Sequence, residues 1–253
     1  MGTWISHLRI AEKLLETIPG LDETAFTFGS LAPDSGIPNA NWTVFDPPKA
    51  VSHFIPDGET EKGIRDLIFY REHLQKCSRQ SDPAQYSFLL GYFFHLVSDK
   101  LWTVRVDPAF HVCYPDLFAG RTVVEAIDII KDDMYGLDQR YVRDNKQCLF
   151  WRVFLNTPTP KSTLEFVRQD ALEHQMDHIR EFYAHPSSEW VLDRPYPYIN
   201  EATMTRYVDE TAASLAKIAR LLGAMPLPEG LNSSITLLTS DETSVFAGPL
   251  GDK

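Results

Sequence analysis

The sequence predicts an all-α fold, a single multi-helix domain built around one buried helix at about residues 83–102. Three observations carry this. Apolar residues recur at three- and four-residue spacing over most of the chain, as amphipathic helices require. The stretch from Pro83 to Trp102 is apolar almost all round, which places a helix inside a protein. No internal repeat, phosphate-binding glycine loop or dinucleotide fingerprint is present, so the common nucleotide-binding α/β patterns are missing. With 253 residues and 43% apolar content, there is enough material for a sizeable core.

Taken in order, residues 4–18 put Ile5, Leu8, Ala11, Leu15 and Ile18 on one face, and Pro19-Gly20 ends that helix. His7 sits at the edge of the face, either a core-edge side chain or a neutral ligand. A long irregular loop is expected at about 26–57, rich in Gly, Pro, Asn and Asp and without helical period. Its aromatics, Phe26, Phe28, Trp42, Phe45 and Phe54, argue for order. Within it Pro33 stiffens the approach of Asp34, and His53 is flanked by apolar residues. An Asx turn and an interfacial histidine are the ordinary readings; metal ligation is the other.

A helix is expected over 61–77, then the buried one. Along the latter Ser87, Gly91, His95 and Asp99 recur every four residues and so share one stripe. His95 and Asp99 are one turn apart in the driest part of the chain, and a buried carboxylate is costly unless paired or bound to a metal. The pair is either two metal ligands or a core hydrogen bond. Residues 105–120 are expected to be irregular. The next helix, 122–143, carries Asp132 on its polar side and Asp133 at the border of its apolar face, as a cap or a further ligand. A helix over 161–183 places His174 and His178 on a charged, solvated side. The last runs over 200–222 and completes the domain at 1–222. The tail at 223–253 is expected to drape over the surface or be partly mobile.

A net charge of −11 disfavours stable nucleic-acid or anionic-membrane binding, yet leaves room for a phosphate ester held by a metal. Three scattered cysteines argue against a disulfide framework. No charged-then-apolar leader and no transmembrane segment is read, so a cytoplasmic protein is expected. Taken together, His7, Asp34, His53, His95 and Asp99 supply nitrogen and oxygen donors with an acidic bridge, a set that suits Zn²⁺ or a similar divalent ion.

The motifs Trp4-Ile-Ser-His7, Phe-Gly-Ser-Leu-Ala-Pro-Asp34, Ser-His53-Phe and Gly-Tyr-Phe-Phe-His95-Leu-Val-Ser-Asp99-Lys-Leu-Trp resemble those of the zinc-dependent phospholipase C family. That family shares an all-helical fold with single-strand-specific zinc nucleases. The resemblance covers roughly residues 1 to 220. It implies that Asp34, His53, His95 and Asp99 surround one metal and that Asp99 bridges to a second held by His7. The family's third metal uses a His and a His-x-x-x-Glu pair after the core helix; no His lies in the ten residues after Asp99 and no His-x-x-x-Glu follows soon after, and Asp133 is the candidate substitute. Two or more divalent ions, Zn²⁺ foremost, are thus expected, with hydrolysis of a small phosphate ester or phospholipid head group. Asp34 is the expected catalytic acid–base residue, and Lys100 and Arg105 are near enough in sequence to offer charge to a phosphate. The alternatives are a non-catalytic metal-containing scaffold and a single-strand nuclease.

Overall fold

The computed structural model describes residues 1–41, 43–188, 190–224 and 226–252, and it is mostly helical. The first helix, α1 (Trp4–Thr17), starts where the Thr3 hydroxyl accepts from the Ser6 backbone N–H, an N-cap that satisfies one of the helix's free donors. Asp22 does the same for α2 (Glu23–Gly29). A 3₁₀ turn at Ala32–Asp34 follows, then a two-residue antiparallel pair, β1 (Ile37–Pro38) with β2 (Phe45–Asp46), and α3 (Lys49–Ser52). The predicted irregular loop at about 26–57 is therefore about half regular structure. Trp42, counted among its aromatics, lies outside the described residues.

Next come α4 (Asp66–Phe69), which runs on into a π turn at Tyr70–Leu74, and the long α5 (Pro83–Arg105). Asp82 caps α5, and Pro83 occupies its first turn, where no N–H is needed. The predicted irregular stretch after it forms two short helices, α6 (Asp107–Cys113) and α7 (Pro115–Phe118). A reciprocal Thr122–Glu125 capping box opens α8 (Val123–Asp144). The helix expected from residue 161 begins later, as α9 (Gln169–Ala184), because the Gln169 side chain turns back to accept from the Ser162 N–H. The last is α10 (Glu201–Ala224).

Buried on nearly every side, α5 is the axis of the core. It lies against α2 so closely that neither helix tolerates a side chain at the crossing. A Cβ on Gly29 would sit 2.1 Å from the Phe88 carbonyl oxygen, and one on Gly91 would sit 2.5 Å from that of Phe26. The two glycines thus bring the backbone after α2, with Ser30 and Asp34, up to the polar stripe of α5. The tail is packed rather than loose. Phe246 and Leu250 are buried, Asp66 accepts from Ser233 Oγ at 3.0 Å and Ser234 N at 2.8 Å, and Arg105 Nε donates to the Glu242 carbonyl at 2.9 Å. Among the described residues no helix is long and apolar enough to cross a membrane.

Candidate metal centre

Five of the six sequence-predicted ligands converge. His7 comes from α1, Asp34 from the 3₁₀ turn, His53 from the end of α3, and His95 and Asp99 from α5. All but Asp34 are at most 2% exposed; Asp34 is 13% exposed and opens on a cleft of about 480 Å³.

Four donor atoms form a compact group. His53 Nε2 lies 3.4 Å from Asp34 Oδ1, 3.6 Å from Asp99 Oδ2 and 3.3 Å from His95 Nε2. His95 Nε2 lies 3.7 Å from Asp34 Oδ1 and 3.6 Å from Asp99 Oδ2. Donors ~2.0–2.2 Å from a tetrahedral Zn²⁺ are ~3.3–3.6 Å from one another, so these separations are those of a ligand shell. The other oxygen of Asp99 faces elsewhere: Oδ1 is 3.3 Å from His7 Nε2 and accepts from the Gly2 N–H at 3.2 Å. His7 stacks on His95 with ring centroids 3.8 Å apart. Asp99 therefore presents one oxygen to each of two groups of donors, the arrangement of a bridging carboxylate.

Neighbouring hydrogen bonds fix the chemistry of the rings. His95 Nδ1 is 2.8 Å from the Ser30 carbonyl, which can only accept, so Nδ1 carries the proton and Nε2 is a bare lone pair. The Ser98 hydroxyl donates to the His95 carbonyl at 2.8 Å and so accepts from His7 Nδ1 at 3.1 Å. Ser52 repeats the device, donating to the Lys49 carbonyl at 3.3 Å and accepting from His53 Nδ1 at 3.0 Å. Each of these serines has its own carbonyl held by a buried tyrosine, Tyr92 for Ser52 at 2.6 Å and Tyr207 for Ser98 at 3.0 Å. Such outer contacts are how metal-ligating imidazoles are oriented.

We assign all three Nε2 atoms as acceptors facing two carboxylates. Burial, with the neighbouring His7, pushes the His95 pKa down to about 3, so that ring is neutral. Burial opposes the ionisation of Asp34, and the Lys49 ammonium nearby favours it. The centre is then a set of acceptors carrying two negative charges out of water. Among the described residues, His7 Nε2 and Asp99 Oδ2 are buried with no hydrogen-bond partner. Such a group is costly unless a cation completes it, and the donors fit a divalent ion. Two overlapping sets can hold one: His7, His95 and Asp99, and Asp34, His53 and His95.

No family model, curated protein or solved structure matches the chain. The reading of the centre therefore rests on its own geometry.

Asp133, read from the sequence as a further ligand, belongs elsewhere. Its Oδ1 accepts from Arg194 Nη1 at 2.6 Å and its Oδ2 from the Tyr198 N–H at 2.8 Å, so both oxygens are occupied. Asp132 is exposed, as expected, and pairs with the same arginine at 2.6 Å. Lys100 and Arg105 do not reach the centre either. Lys100 donates to the Ile64 carbonyl at 2.6 Å, and Arg105 holds the tail. The cations on the cleft wall are instead Lys49 and Lys131, neither of which stood out in the sequence. His178, placed by periodicity on a solvated side, is half-buried on the same wall with its ring edge-on to Trp4 at 5.6 Å; His174 is exposed as expected.

Proposed function

We propose that the chain is a metal-dependent phosphoric ester hydrolase, phospholipase C-like in its ligand set, acting on a small phosphate ester or phospholipid head group. The observation that carries this is the opening of a buried, acceptor-only centre through Asp34 into a cleft that also presents Lys49 and Lys131. Divalent ions bound there, Zn²⁺ by the donor set, supply Lewis acidity, lowering the pKa of water towards ~7 and offsetting charge on phosphoryl oxygens.

The residues do the rest. The serine and carbonyl contacts keep each Nε2 bare and aimed, so no reorganisation precedes binding. Asp99 sets the spacing of the two groups of donors. Asp34 turns Oδ1 to the imidazoles, which leaves Oδ2 to orient the attacking water, take its proton as the new oxygen–phosphorus bond forms, and pass that proton to the departing alkoxide as the ester bond breaks. Lys49 and Lys131 draw an anionic ester into the cleft of an otherwise acidic protein.

The test is turnover of a panel of phosphate mono- and diesters by Zn²⁺-supplied protein. Hydrolysis that falls by at least about 10²-fold in Asp34→Asn is expected. Stoichiometric metal without turnover on any ester would instead make the chain a metal-containing binding module.

A further inference from the structure

Beyond the imidazoles, the cleft wall is built by α1, α8 and α9, and Gln175 of α9 stands on it. Gln175 is 3% exposed and lines the cleft, yet among the described residues its carboxamide makes no hydrogen bond. An amide that has no protein partner and faces a cleft is placed to bond a ligand there. Lys131 stands on the same cleft. Its side chain is 44% exposed, and its ion pair with Asp128 is stretched to 4.0 Å. The carbon surface between is aromatic: Trp4, Tyr135 and Phe182 approach one another at centroid distances of 6.3, 6.1 and 5.6 Å. The one acid among the described lining residues is Asp34, and it is turned to the imidazoles. An aromatic wall alone would welcome a quaternary ammonium, but here no free carboxylate accompanies it and a lysine does.

We infer that this wall receives the alcohol side of the ester and selects alcohols that end in an anion over those that end in a quaternary ammonium. Lys131 Nζ pairs with the terminal anion, Gln175 hydrogen-bonds the oxygens between it and the phosphate, and the rings cover the carbon chain. The inference rests on the hydrolase reading in one respect, that the phosphate lies at the imidazoles.

Three probes that differ at the far end of the alcohol test it: 2-phosphoglycolate, ethyl phosphate and phosphocholine. Their dissociation constants are measured by titration calorimetry on the full chain supplied with Zn²⁺. Phosphoglycolate is expected to bind at least about ten-fold tighter than phosphocholine, with ethyl phosphate between them. Lys131→Met should bring the three within about two-fold, Lys131→Glu should reverse the order, and Gln175→Leu should weaken phosphoglycolate without reversing it. Phosphocholine bound as tightly as phosphoglycolate, or a Lys131→Met loss shared equally by all three, overturns the selectivity while leaving the hydrolase reading intact. Failure of all three to bind overturns both.

Discussion

His7 Nε2 and Asp99 Oδ1 meet at 3.3 Å inside the protein with no hydrogen between them. The cause lies on the far side of the ring, where Ser98 has committed its only proton to the His95 carbonyl and so takes the proton of His7 Nδ1. Two lone pairs brought face to face out of water are tolerable when a cation lies between them. The same reasoning covers His53 and His95, and it makes the serines as informative as the ligands.

Ser98→Ala should accordingly weaken metal binding without removing a ligand. A loss of about 10–100-fold in affinity is expected, read by competition with a chromophoric chelator. Asp133→Asn, by contrast, should leave that affinity unchanged, since both oxygens of Asp133 are engaged by Arg194 and Tyr198.

Removing the metal should destabilise the fold, because two carboxylates and three imidazoles are then left buried without a counter-charge. At a free concentration of ~1,000 times the dissociation constant, the bound form gains about 4 kcal/mol. For a chain of this size that corresponds to a rise of roughly 10 °C in Tm. Thermal melts with chelator and with added Zn²⁺ measure it.

Gly91→Ala should cost about 1–3 kcal/mol and loosen the centre at once. The new Cβ would fall 2.5 Å from Phe26 O and 2.9 Å from Ser30 N, and separating α2 from α5 pulls the Ser30 carbonyl off His95. Gly223→Ala is the matched control. It lies in α10 with nothing within 4 Å of the added methyl group, and it should stabilise by up to about 1 kcal/mol. Urea denaturation of both variants checks the contrast.

Asp138 gives a pH dependence of known sign. Burial raises its pKa to about 7 from an ordinary 3.8, against the help of Thr3 and of the Tyr183 hydroxyl, which donates at 2.8 Å. Between those values the folded chain holds a proton that the unfolded chain has released. The contribution to stability is therefore complete below pH ~3.8 and lost as pH rises through ~7, at up to about 1.4 kcal/mol per pH unit. Asp138→Asn should remove that slope, so its unfolding free energy, minus that of the parent chain, should rise between pH 4 and 7. A constant difference would contradict the assignment.

The periodic elements and the centre's principal donors were legible from the chain because local rules govern them. The four-residue repeat of Ser87, Gly91, His95 and Asp99 places the stripe, and the proline before Asp34 marks its turn. Gly91 shares that stripe, and the backbone of α2 fills the space beside it. What was not legible depends on distant partners. Asp133 at the edge of an apolar face has the pattern of an inward ligand, and only Arg194, far along the chain, decides otherwise. Arg105 lies close to Asp99 in sequence but is spent on the tail. Ser52 and Ser98 carried a signal that could have been used, a hydroxyl one residue before one imidazole and three after another. Gln175 and Lys131 carried none, since a helix surface becomes a cleft wall only when other helices stand opposite.

The most direct measurement is elemental analysis of protein purified without added metal or chelator, alongside its Asp99→Asn variant. About two divalent ions per chain are expected in the parent protein, with both lost in the variant, since Asp99 presents one oxygen to each group of donors. A parent chain free of metal that neither takes up Zn²⁺ nor gains Tm from it, or an Asp99→Asn variant that keeps its ions, would contradict the account.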